Sequence, residues 1–217
     1  MNDEKILHEL TIAIKDDIHK FASKSKQTSK LMKFLNFFIQ IFNKDFMEKY
    51  STTIYPNVYF PDSFGTVKRW QILAHEWVHL RGGKKSQFLF SLKYLFPQWL
   101  FVLSLLSFLA IPFSNFWLLN LLWLVLLAPL PAYWRMQEEL DGYTMNLVIH
   151  NTLSGSISPF TISWLETQFT GPGYYFMWPF KKNIANRLST RVGQVLTGQY
   201  DKIYPYSKVR EIIILNK

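Results

Sequence analysis

One short stretch of this chain is built for metal chemistry. His75-Glu76-Trp77-Val78-His79 sets two imidazoles four positions apart. On a helix, residues i and i+4 share a face, so both rings can hold one divalent cation. Glu76 sits about 100° around the helix from His75. That offset makes it a poor ligand and a good general base toward a water acidified by the cation. Zn²⁺ is the expected ion, because two histidines, one carboxylate and an open position suit it best. The chain has no cysteine, which excludes thiolate ligands, disulfides and cysteine catalysis.

The third ligand must come from elsewhere. His150, in Val-Ile-His-Asn-Thr, reads as a helix-end histidine. The better source is Glu138-Glu139-Leu140-Asp141-Gly142-Tyr143, which opens a helical pattern through Thr144, Met145 and Leu147. Taken alone, the spacing leaves both Glu138 and Glu139 as candidate ligands.

The motif needs a rigid, largely buried helix to hold it. Ile72, Leu73, Ala74, Val78 and Leu80 make the surrounding segment apolar, and Gly82-Gly83 marks its end. Upstream, residues 51–62 are rich in β-branched and aromatic residues around a Tyr-Pro-Asn turn, which predicts a short hairpin. Pro56 and Pro61 suggest edge positions. Such an edge would let an extended peptide lie as an added strand. Residues 1–30 predict an amphipathic helix on Ile6, Leu7, Leu10, Ile12, Ile14 and Ile18, then a Ser/Lys-rich break. Residues 31–46 predict a basic, aromatic helix that either lies on a membrane surface or packs in a core.

The charge of +9 is unevenly spread. Residues 1–97 carry 15 of the 24 Lys and Arg, and residues 98–134 carry no charge at all. That greasy block breaks at Pro112–Asn115 into two runs, each shorter as a helix than a ~30 Å hydrocarbon core. It predicts a hydrophobic helical hairpin, membrane-embedded or buried. If histidines and glutamate are to meet, the block must cross a bilayer zero times or twice. Both flanks then face one side, the cytoplasmic one by their lysines. Beyond it, 171–180 is a Gly/Pro loop dense in aromatics, and Val209–Leu215 is either a short strand or an anchoring segment. A nucleic-acid partner finds no motif to support it.

His75-Glu76-Trp77-Val78-His79 with a downstream glutamate resembles the gluzincin metallopeptidases. Their usual downstream pattern is Glu-x-x-small-Asp. Placing Gly142 at the small position implies Glu139 as ligand and puts Tyr143 where Asp would be. The resemblance implies that Tyr143, or Asp141 from a neighbouring turn, orients a ligand imidazole. It implies further that Tyr174 or Tyr175 could donate to an oxyanion. The layout is most similar to HtpX-like membrane zincins. Over residues 45–180 it is also similar to uncharacterised phage-encoded proteins read as metallopeptidases. That second likeness rests on His75-Glu76-Trp77-Val78-His79-Leu80, Tyr94-Leu95-Phe96-Pro97-Gln98, Leu130-Pro131-Ala132-Tyr133-Trp134-Arg135 and Glu139-Leu140-Asp141-Gly142-Tyr143.

The expected fold is α+β and mainly helical, zincin-like. It has a small edge sheet, a helix bearing the His-Glu-x-x-His motif, a glutamate-bearing helix and a hydrophobic hairpin between them. The expected organisation is amphipathic N-terminal helices over 1–50, and a metallopeptidase domain over 51–217 with the hairpin 98–134 inserted. Two functions compete. One is a membrane-associated zinc endopeptidase acting on a peptide or protein, with lipids as neighbours and oligomers allowed. The other is a structural or membrane-interacting protein, a virion component if phage-encoded, that keeps the fold with little turnover. Intact Glu76 favours the enzyme.

Overall fold

A computed structural model describes residues 1–40, 43–97, 100, 130–171 and 176–217. The expected hydrophobic hairpin, apart from residues 100 and 130–134, lies outside these, as do Tyr174 and Tyr175. The described chain is mainly helical with one small mixed sheet. Among the described residues, no helix is long and apolar enough to cross a membrane. The residues form two compact units. One comprises Met1–Gln87, Gly142–Ser156 and Gln194–Lys217; the other comprises Phe88–Asp141 and Ile157–Gly193.

In the first unit, helix α1 spans Asp3–Asp17. Asn2 caps it by accepting from the Lys5 amide, and Asp3 and Glu4 favour its positive end. Ile6, Leu10 and Ile14 form its buried stripe. Strand β1 (Ala22–Ser25) follows, then α2 (Lys30–Ile39), α3 (Phe46–Lys49), β2 (Thr52–Ile54), β3 (Asn57–Phe60) and α4 (Thr66–Gly83). The sheet order is β1-β3-β2. β2 and β3 pair antiparallel as the expected hairpin, with Thr53 opposite Val58. Pro56 lies in its turn and Pro61 just past β3, so neither prolyl nitrogen is asked to join the ladder. β1 pairs parallel with β3, Ala22 opposite Asn57.

β1 is a correction to the break expected at 23–30. Ala-Ser-Lys-Ser has no apolar alternation, and the open edge of β3 decides its conformation. Just after it, Lys26 is buried. Its amine donates to the carbonyls of Phe46 at 2.6 Å and Tyr50 at 2.9 Å, and burial lowers its pKa to about 8.

α4 ends at the second glycine of the Gly82-Gly83 pair. It buries Trp70, Leu73, Ala74, Trp77 and Leu80 together with both histidines. α1 ties down its length. Trp70 Nε1 donates to Asp3 and Trp77 Nε1 to Asp17, each at 2.9 Å, and Lys84 adds a 2.9 Å ion pair with Asp17. The C-terminal segment, expected as a strand or an anchor, is helix α9 (Tyr206–Leu215). Its Ile212-Ile213-Ile214 run has β propensity, yet Tyr206, Val209, Ile212 and Ile213 make one buried helical stripe. Burying that stripe outweighs a few tenths of a kcal/mol of propensity. The Asn216 amide donates to Glu9 of α1 at 2.9 Å, closing that side.

The second unit contains most of α5 (Gln87–Tyr94), the first turns of α6 (Tyr133–Ser154), α7 (Pro159–Thr170) and most of α8 (Lys181–Leu196). Ser158 caps α7 by accepting from the Thr161 amide. Trp178 and Tyr133 rings meet edge-on at 5.8 Å, and the Ala132 amide donates to the Met177 carbonyl.

Candidate metal centre

Two long helices make the site. α4 carries His75, Glu76 and His79; α6 carries Glu139, Gly142, Tyr143 and Asn146. The α6 positions 139, 142, 143 and 146 follow i, i+3, i+4 and i+7, one face of a helix. From Gly142 onward that face meets the two imidazoles. A Cβ added to Gly142 would stand 2.6 Å from His75 Nε2 and 3.0 Å from His79 Nε2, so only glycine admits the rings at this depth. The Tyr143 ring packs edge-on against His75 at 5.0 Å.

His75 Nδ1 lies 3.2 Å from Asn146 Oδ1. The amide oxygen accepts, so Nδ1 holds the proton and Nε2 presents its lone pair to the centre of the site. His75 Nε2 and His79 Nε2 stand 3.1 Å apart. Two tetrahedral ligands at zinc–nitrogen distances of about 2.0–2.1 Å would stand roughly 3.3 Å apart, so the pair already has a metal-binding spacing.

Glu139 lies one helical turn before Tyr143 on the same continuous α6 and is 2% exposed. His75, His79 and Glu139 each offer a ligand atom, and these lie within 4.8 Å of one another. All three side chains are buried. Two imidazole nitrogens and a carboxylate oxygen, converging behind a glycine that a methyl group would fill, fit a divalent metal ion. The donor set does not say which one.

The glutamates of the pair part ways. Glu138 is half-buried and outside the cluster, and burial raises its pKa, with Asp141 and Glu139 adding to the rise against Lys93. The Glu139 carboxylate accepts a short hydrogen bond from the Tyr94 hydroxyl on α5. The Asp141 carboxylate accepts from Arg191 Nη2 at 2.6 Å. The partner of the His75 Nδ1–H is therefore Asn146, where Tyr143 or Asp141 was expected.

Glu76 points to the sheet side of α4. Its two carboxylate oxygens accept from Ser51 Oγ at 2.9 Å and Thr53 Oγ1 at 2.7 Å. Alternate residues of an extended segment face the same way, so Ser51, just before β2, and Thr53 within it can offer both hydroxyls to one carboxylate. His150 bonds through Nδ1 to the Ser156 carbonyl near the end of α6 and takes no part in the cluster.

Sequence reasoning missed four residues: Asn146, Tyr94, Ser51 and Thr53. Asn146 was discoverable as the i+7 member of a stripe begun by Glu139. Ser51 and Thr53 show only as an i, i+2 pair of hydroxyls. Tyr94 stands in the Tyr94-Leu95-Phe96-Pro97-Gln98 stretch, where nothing local points it toward Glu139.

No protein-family model, curated protein or solved structure matches this chain.

Proposed function

We propose that this chain is a zinc-dependent hydrolase of peptide bonds, built on a zincin-like plan. The observation that supports it most is the buried His75–His79–Glu139 cluster, with Asn146 fixing the His75 tautomer. These three side chains would hold the metal. A bound zinc ion would supply Lewis acidity and acidify a water beside it. Glu76, on the next position of the same helix, would serve as the general base for such a water and as the proton donor to the leaving amine. Ser51 and Thr53 orient the Glu76 carboxylate from the β2 side. β2 is an edge strand, and an extended peptide is the substrate class that such an edge accepts.

A second reading has its own support. Both oxygens of Glu76 are engaged by hydroxyls, which suits a structural or membrane-interacting protein that holds a metal and turns over little.

One experiment separates the two. Metal content is measured by mass spectrometry on wild type, Glu139→Ala, Glu138→Ala and Glu76→Gln, alongside cleavage of a peptide library. The enzyme reading expects about one zinc per chain, lost in Glu139→Ala and kept in the other two. It further expects cleavage that falls at least ~100-fold in Glu76→Gln. Zinc present with wild type no faster than Glu76→Gln establishes the second reading. No metal in wild type after reconstitution overturns both.

A further inference from the structure

Helix α2 is apolar on both sides. Met32 is buried, and Leu35 and Ile39 pack with it against Phe46, Tyr59, Met47 and Ile54. The opposite half has no such cover among the described residues. Phe37 is 66% exposed, Phe34 62%, Phe38 51% and Leu31 43%. The phenyl rings gather into one patch, with centroids 5.3 Å apart for Phe34–Phe38 and 5.2 Å for Phe37–Phe38. A surface helix ordinarily turns charged residues outward, and a contiguous aromatic face marks a contact.

The charges around the patch have one sign. Residues 18–44 hold six lysines and no aspartate or glutamate. Lys26 is buried, which leaves Lys20, Lys24, Lys30, Lys33 and Lys44 at the surface. At about 100° per residue, Lys30 and Lys33 fall on the same half of α2 as the exposed aromatics. Their stems can lie along the apolar face while the ammonium groups reach outward. A second copy of this face would bring lysine against lysine. An anionic lipid surface takes the rings among its acyl chains and the lysines among its headgroups. α2 is ten residues, about 15 Å, too short to cross a bilayer, so it would lie flat.

We infer that the Leu31–Phe34–Phe37–Phe38 face of α2, with Lys30 and Lys33, is an interfacial contact that seats the protein on an anionic membrane. No residue of the metal centre lies on α2, so this inference and the hydrolase reading stand or fall separately.

The chain lacks cysteine, so a single spin label reports one position of the full-length protein. Phe37→Cys reads the patch and Glu4→Cys reads α1. Each is mixed with phosphatidylcholine vesicles, with and without phosphatidylglycerol. On anionic vesicles, the label at 37 should become accessible to oxygen and shielded from a water-soluble nickel chelate, while the label at 4 stays aqueous. Reversing both charges, Lys30→Glu with Lys33→Glu, should weaken this immersion about tenfold or more. High salt should weaken it too. A label at 37 that stays aqueous while the protein floats with anionic vesicles overturns the inference, because the anchor then lies elsewhere. Immersion that ignores lipid charge and both lysine reversals overturns the anionic requirement. Shielding without vesicles, in a species that light scattering shows to be dimeric, assigns the face to a second copy instead.

Discussion

Helices α4 and α2 lie in the same compact unit and break the usual sorting of residues in opposite directions. α4 takes ionisable side chains inward: His75 and His79 are buried against Gly142 of α6. α2 turns large apolar side chains outward: Phe34, Phe37 and Phe38 stand on its open face. Each inversion costs free energy unless something compensates it. Buried imidazoles need a partner for their nitrogens, and exposed phenyl rings need a dry surface. α1 shows the ordinary case within the same unit, with Ile6, Leu10 and Ile14 inward and Asp3, Glu4 and Lys15 on its first and last turns.

The α4 inversion can be broken most sharply at Gly142. In Gly142→Ala the helix itself gains ~0.5–1 kcal/mol of intrinsic preference. The methyl group would nonetheless stand 2.6 Å from His75 Nε2. Zinc stoichiometry by mass spectrometry should fall from one per chain to near zero while the circular dichroism spectrum is retained. Bound zinc in the variant at wild-type level would remove Gly142 from the design of the site.

The α2 inversion is tested by mutating its two faces separately. Met32→Ala should cost about 2–5 kcal/mol in urea unfolding, because Met32 is fully buried. Phe37→Ala should stay within about 0.5 kcal/mol of wild type. Equal losses would mean that the outer face is covered by the folded chain itself.

Next in size come the groups that steady the candidate ligands. Asn146→Ala should weaken zinc affinity about 10–100-fold in a chelator competition, and Tyr94→Phe should do so on the Glu139 side. A normal affinity in both would leave the cluster without outer support.

A pH-dependent effect belongs to Lys26, whose amine is buried over the Phe46 ring. Its folded pKa is lowered to about 8 from 10.5, so the unfolded chain binds more protons between those values. Its contribution to stability is therefore unfavourable below about pH 8 and is relieved as pH rises toward 10.5. Over that window, the stability difference between wild type and Lys26→Met should shift in favour of wild type. A flat difference would mean that the amine titrates normally.

Much of this was legible without coordinates, and the division has a physical cause. The i, i+4 spacing of His75 and His79, the offset of Glu76 and the helical setting of Glu139 are local properties, so the sequence alone determined them. The hairpin over 51–62 was legible for the same reason, since turn chemistry and β-branched residues act within a few positions. β1 was not, because Ala-Ser-Lys-Ser extends only where β3 offers hydrogen bonds. The isoleucine run of α9 was not, because the stripe it buries against α1 outweighs its local preference. The residues holding the site in place, Asn146 on His75, Tyr94 on Glu139, and Ser51 and Thr53 on Glu76, meet their partners across long stretches of chain. The tertiary structure also decided which half of α2 packs inward, since both halves are apolar and only the sheet beneath could choose between them.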